Sequence, residues 1–137
     1  MKYKILIVDD EEEIRNMLSR HFRLKGYAVE KAGSVDEALG YLQSTIVHIV
    51  VSDIMMPHKN GTELLTILKN EYPMIKIIMI TGYVTLENAL NCMKRGADTC
   101  IFKPLGDLKE LDEALGRAAA WHARWQEKLH ILQNNRR

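Results

Sequence analysis

From position 46 to 57 the chain reads IVHIVVSDIMMP. An apolar, largely β-branched run of strand length with no alternating polar face is a strand buried on both sides, as strands inside a parallel sheet are. That leaves few folds open, because parallel neighbours need long crossover connections and a helical layer on each face of the sheet. The run also ends in Asp53, a charge delivered to the end of a buried strand, where it is costly unless something there uses it.

The rest of the chain supplies the crossovers. KILIV at residues 4–8 is a short apolar strand, and Ile14, Met17, Leu18, His21 and Phe22 recur at helical spacing over Ile14 to Leu24, with Gly26 as the stop. YAVEKA alternates apolar and charged residues, which predicts an edge strand with a wet face, and SVDE is a capping box opening a helix from Val35 to Leu42. The third strand is expected over Ile46 to Ser52, followed by the loop MPHKNG and a helix from Thr62 to Asn70. After Pro73, KIIMIT is a fourth strand, TLENALNCMKRG a fourth helix ending at Gly96, and TCIF a fifth strand running into Lys103 and Pro104. Strict alternation predicts an α/β fold: a flavodoxin-like, doubly wound, five-stranded parallel sheet in the order 2-1-3-4-5 with helices on both faces.

Composition narrows the function classes. With a formal net charge of +1, the chain has no bulk attraction to nucleic acid or anionic lipid. No apolar stretch approaches the roughly 20 residues of a membrane span, and MKYKILIVDDEEE is unlike a signal peptide, so a cytoplasmic location is expected. Cys92 and Cys100 lack C-x-x-C spacing, and the five histidines form no ligand pattern with them, which reads as buried thiols in a reducing compartment.

Ligands of such sheets bind at the carboxyl ends of the strands, beside the point where the winding reverses. Asp9 and Asp10 follow strand one, Asp53 strand three, Thr81 strand four and Lys103 strand five. Clustered carboxylates repel by on the order of 4 kcal/mol per close pair at an effective dielectric near 20. An all-oxygen cluster without histidine or cysteine favours a hard cation, Mg²⁺ in particular. Asp53 is then free to attack a phosphorus centre and form an acyl phosphate, with Lys103 neutralising the transferring oxygens and the Thr81 hydroxyl donating to one of them.

ILIVDD, VVSDIMMPHKNG, IIMITGY and GADTCIFKP together resemble the receiver domain of bacterial two-component response regulators, over about residues 3–120. The resemblance implies a receiver domain over 1–120, with 121–137 as a helical extension or linker. It implies that Asp53 accepts a phosphoryl group from a sensor histidine kinase or phosphotransfer protein, and that Asp9, Asp10, Asp53 and the backbone carbonyl of Met55 hold Mg²⁺. It further implies that Thr81 and Phe102 form a switch, the hydroxyl moving toward the phosphate and the ring turning inward behind it. A downstream output protein or domain is the expected recipient of the signal, and the Lys103–Pro104 bond is expected to be cis.

Duller readings stand beside these. Asp10, with Glu13 three residues on, also has a helix-capping pattern, and Phe102 taken singly is a core residue. An aspartyl-phosphate phosphatase would need a second acid two residues after its nucleophile, where this chain has Met55. A flavin mononucleotide carrier of the same fold would not place DDEEE beside a phosphate. A phosphorylation-silent dimerising scaffold is a further alternative.

Two features depart from the family. Met55 and Tyr83 stand two residues after Asp53 and Thr81, positions that in relatives flank the hydrolytic water, and their bulk predicts a long-lived phosphoryl group. In the tail, Leu111, Leu115, Ala118, His122, Trp125, Leu129 and Leu132 step by four and three alternately, a heptad seam with one polar intruder. It predicts an extended C-terminal helix able to pair with a second copy, and no room for a DNA-binding output domain within these residues.

Overall fold

The computed structural model describes residues 2–56, 60–82 and 85–135. Five strands, β1 (Lys4–Val8), β2 (Ala28–Ala32), β3 (Ile49–Asp53), β4 (Lys76–Thr81) and β5 (Thr99–Phe102), alternate with five helices, α1 (Glu12–Leu24), α2 (Val35–Leu42), α3 (Gly61–Glu71), α4 (Leu86–Lys94) and α5 (Lys109–Asn134). All strand pairs are parallel and the order is β2-β1-β3-β4-β5, as the patterning predicts. The chain divides into two compact units, one up to Gly106 and one from Asp107 onward.

Strand burial follows position in the sheet. Every residue of β3 is buried, whereas β2 buries only Val29 and Ala32. Leu6, Val8, Val50, Ile77 and Met79 turn one way, into a core with Val35, Ala38 and Leu42 of α2, Leu64, Leu65 and Leu68 of α3, and Cys92 of α4. Their neighbours Ile5, Ile7, Val51, Ile78 and Ile80 are equally buried on the other face, where α1 runs along β1 and β2. β3 begins three residues later than the apolar run suggests. Ile46 is 81% exposed and belongs to the connector, so an apolar residue there only imitates the strand.

Caps set the helix starts. The Ser34 hydroxyl accepts from the Glu37 N–H, while the Glu37 carboxylate accepts from the Gly33 N–H rather than from that of Ser34, so the reciprocal arm of the box lands one residue early. The Asn60 side chain accepts from the N–H groups of Thr62 and Glu63 at the start of α3, and Thr85 does so from Asn88 at α4. Asp10 does not cap α1. The N-cap position is Glu11, which makes no side-chain cap bond, and its own N–H is held by Asp9.

Within the second unit, α5 is one continuous helix of 26 residues, about 39 Å long at 1.5 Å per residue. Its buried positions are Leu111, Ala114, Leu115, Ala118 and His122. Beyond His122 the seam opens, with Leu129 and Leu132 exposed and Trp121 and Trp125 in tilted ring contact.

Candidate functional site

Because the strands are parallel, their carboxyl ends share one rim, and each candidate residue reaches it from its own strand. β1 runs out at Val8 and Asp9 follows, its N–H still bonded to the Ala32 carbonyl of β2. Asp53 is the last residue of β3 and Thr81 the last of β4, with Phe102 paired beside it in β5. The Lys103 N–H donates to the Thr81 carbonyl, which ties the lysine backbone to the end of β4. The Lys103–Pro104 peptide is cis, as expected.

The Lys103 ammonium lies 3.2 Å from Asp53 Oδ2, 3.3 Å from Asp9 Oδ2 and 3.5 Å from Glu11 Oε1. Its aliphatic stem passes alongside Gly82. The other carboxylate oxygens take backbone donors: Asp9 Oδ1 accepts from the Glu11 N–H and Asp53 Oδ1 from the Met55 N–H. Arg15 donates to the Asp9 carbonyl at 2.7 Å, and the Ser52 hydroxyl to the Asp53 carbonyl, so the backbones carrying both acids are held as well.

Asp9, Asp53 and Thr81 are buried, Asp10 and Glu11 exposed, and Phe102 is 48% exposed. Met55 is half-exposed, and Tyr83 lies outside the described residues. Thus the rim gathers Asp9, Asp10, Asp53, Thr81 and Lys103 as the sequence predicts, and it adds Glu11. The signal for Glu11 was the third acid of DDEEE, which strand-end reasoning passed over.

Ligand atoms of Asp9, Asp10, Glu11 and Asp53 come within 4.8 Å of one another. The donors are all oxygen and nearly all anionic, with backbone amides and one lysine already engaged, so the set suits a hard divalent cation with several retained waters.

Burial lifts Asp53 above the ordinary carboxylate value of 3.8, with Asp9 adding repulsion and Lys103 offsetting only part of it. Burial likewise lifts Asp9, against the Glu11 N–H and Lys103. Burial alone would lower Lys103, but Asp53 and Asp9 outweigh it and hold the ammonium above 10.5. Carboxylates raised in this way contribute stability that is complete below 3.8 and is lost as pH climbs through their folded values. Without metal, then, the site is electrostatically over-acidic at neutral pH. In chelator at pH 7, Asp53→Asn is expected to melt above the parent, with the gap closing as pH falls toward 3.8. A lower melting point for the variant at pH 7 would contradict this balance.

A buried aspartate flanked by a lysine and a cation-ready acid cluster, on the carboxyl rim of a doubly wound sheet, defines a phosphoryl-accepting switch module. The family model for the response regulator receiver domain matches residues 5–116, and the chain belongs to that family. It is 35% identical over 106 residues to the nitrogen assimilation regulatory protein NtrX of Azorhizobium caulinodans, covering 76% of this chain and 23% of that protein. To the regulatory protein AtoC of Escherichia coli it is 32% identical over 130 residues, 95% of this chain and 28% of that one. The chain spans about a quarter of the length of the curated relatives it matches. Among solved structures, the CheY-like receiver domain protein of Methanospirillum hungatei superposes with a TM-score of 0.83 at 31% identity, covering 90% of this chain and 99% of that one. The response regulator TrrA of Thermotoga maritima, in complex with Mg²⁺-BeF, gives 0.77 at 31% identity, covering 86% and 99%.

Proposed function

We propose that Asp53 is the phosphoacceptor of this receiver and that a sensor histidine kinase or phosphotransfer protein is its donor. The observation that carries the reading is the position of Lys103, within 3.3 Å of both buried aspartates at the rim. An Asp53 carboxylate oxygen attacks the phosphorus of a phosphohistidine; the oxygen–phosphorus bond forms as the phosphorus–nitrogen bond breaks, and the imidazole keeps the electron pair. Lys103 balances charge on the transferring oxygens, and the Thr81 hydroxyl donates to one of them. Asp9, Asp10, Asp53 and the Met55 carbonyl would hold Mg²⁺, with Glu11 at the margin. When bound, the ion supplies further neutralisation of that same charge. TrrA was crystallised with Mg²⁺-BeF, which supports this choice of cation.

The switch is read as Thr81 and Phe102, neighbours across β4 and β5, one buried and the other exposed. Phosphorylation draws the hydroxyl toward Asp53 and the ring inward. Chemistry beyond the chain's own phosphotransfer and dephosphorylation is not part of the reading, since Met55 offers no general acid two residues after Asp53. We take residues 1–120 as the receiver and 121–137 as a helical extension toward a downstream output protein or domain. Among the described residues no helix is long and apolar enough to cross a membrane, and a cytoplasmic setting fits the proposed donor.

The test is incubation with Mg²⁺ and acetyl phosphate, followed by intact mass spectrometry beside Asp53→Ala. One phosphoryl group gained by the parent alone is the expected result, and a gain in both, or in neither, overturns the assignment. Followed after donor removal, the same mass reads the lifetime. Slow loss is expected from the thioether of Met55 beside the site, and loss within seconds in Mg²⁺ would refute that.

The exposed seam past His122 supports a second reading, that two copies pair through the extension. The parent should sediment as a dimer and Leu129→Glu as a monomer. Two monomers would dismiss the pairing.

A further inference from the structure

Cys92 and Cys100 stand outside the phosphoryl site, yet the fold brings them together. Cys92, on α4, is fully buried, and Cys100, on β5, is partly accessible and packed against the same core. α4 packs against β5, and the Cys100 side chain lies within hydrogen-bonding reach of the Cys92 thiol. The elements carrying them are lightly anchored. Among the described residues of α4 only Cys92 is buried, while Leu86, Leu90 and Met93 are all exposed. Among the described residues β5 is a four-residue edge strand paired to β4 alone.

We propose that Cys92 and Cys100 form a reversible disulfide, with a peroxide as oxidant, that staples α4 to β5. Cys100, reachable from solvent, reacts first. Its thiolate attacks one peroxide oxygen, the oxygen–oxygen bond breaks, and the departing hydroxide takes up the thiol's proton as water, leaving a sulfenic acid. The Cys92 sulfur, buried at the same core, attacks the sulfenyl sulfur. The sulfur–sulfur bond forms, the sulfur–oxygen bond breaks, and hydroxide leaves with the Cys92 proton as a second water. One peroxide thereby removes two electrons from the thiol pair. Burial keeps the Cys92 thiol above its ordinary value, against the Arg95 charge and the Cys100 hydrogen bond, which suits it to resolve the sulfenic acid rather than to meet peroxide itself.

Such a bond acts on α4 and β5 whether or not Asp53 is phosphorylated, so the inference does not rest on the phosphoryl reading. The test treats the full chain with hydrogen peroxide and weighs it without reductant. Expected are a loss of two hydrogen masses, a cross-linked pair of peptides containing Cys92 and Cys100, recovery with dithiothreitol, and no such loss in Cys100→Ser or Cys92→Ala. An unchanged parent mass, oxygen addition without hydrogen loss, or linkage only between chains would each overturn the proposal. Amide exchange in α4 should slow by about tenfold or more in the oxidised form. Equal exchange in both forms would overturn the staple.

Discussion

Gly61→Ala should lower the unfolding free energy by about 2–4 kcal/mol, a fall in melting temperature of roughly 6–12 °C for a chain of this size. The first residue of α3 is seated directly on the backbone behind the phosphoacceptor candidate. A Cβ there would collide with the Asp53 carbonyl oxygen and stand 3.0 Å from both Ile54 Cα and Met79 Cε. Two of those three obstacles are backbone, so no side-chain rotation relieves them. The Gly61 N–H also donates to the Ile54 carbonyl at 2.7 Å, a bond the added methyl would pry apart. Alanine is otherwise the better helix former by about 1 kcal/mol, and close packing outweighs that gain. A thermal melt within a degree of the parent would mean that α3 does not rest on Asp53. Because the displaced backbone is that of Asp53, phosphoryl uptake from acetyl phosphate should slow in the same variant.

Lys103→Met should have the second large effect, and one that depends on conditions. The substitution keeps an aliphatic stem beside Gly82 and removes the cation that Asp9, Asp53 and Glu11 share. Lys103 is 15% exposed as a side chain, Asp9 3% and Asp53 6%, so solvent screens this pairing little. Leaving the carboxylates uncompensated should cost about 2–4 kcal/mol in chelator. Added Mg²⁺ should return a large part of that loss, and phosphoryl uptake should fall by at least ~tenfold even in Mg²⁺. Lys103→Arg, which keeps the charge, is the control and should retain most of the stability. A Lys103→Met protein as stable as the parent in chelator would mean that the lysine is not what makes the acid cluster tolerable.

The strand-end residues were legible because each obeys a rule local to its own segment. A fully apolar run terminates at Asp53, another gives way to Asp9 and Asp10, and a short edge strand ends at Lys103. Parallel topology does the gathering, and periodicity is enough to infer it. Less visible were features that depend on which atoms meet. Asp10 had the spacing of a cap, but Asp9 reaches the Glu11 N–H first and Asp10 stays in solvent. Glu11 joins the Lys103 pairing through the course of the chain into α1, which residue type does not encode. Gly61 reads in the sequence as loop punctuation, and its real constraint is the nearness of another strand's carbonyl. Ile46 shows the limit of apolar runs, since a connector residue and a strand residue are written with the same letter.

The edge position of β5 also gives the site an order of assembly. Synthesis from the amino terminus makes all the acids of the cluster well before Lys103, which lies just past the last and shortest strand. Until that strand docks, the acid cluster lacks its cation, and an opening of the edge in the finished protein would remove it again. On the proposed role of Lys103, competence to receive a phosphoryl group would therefore also certify completed folding, through four residues at the border of the sheet.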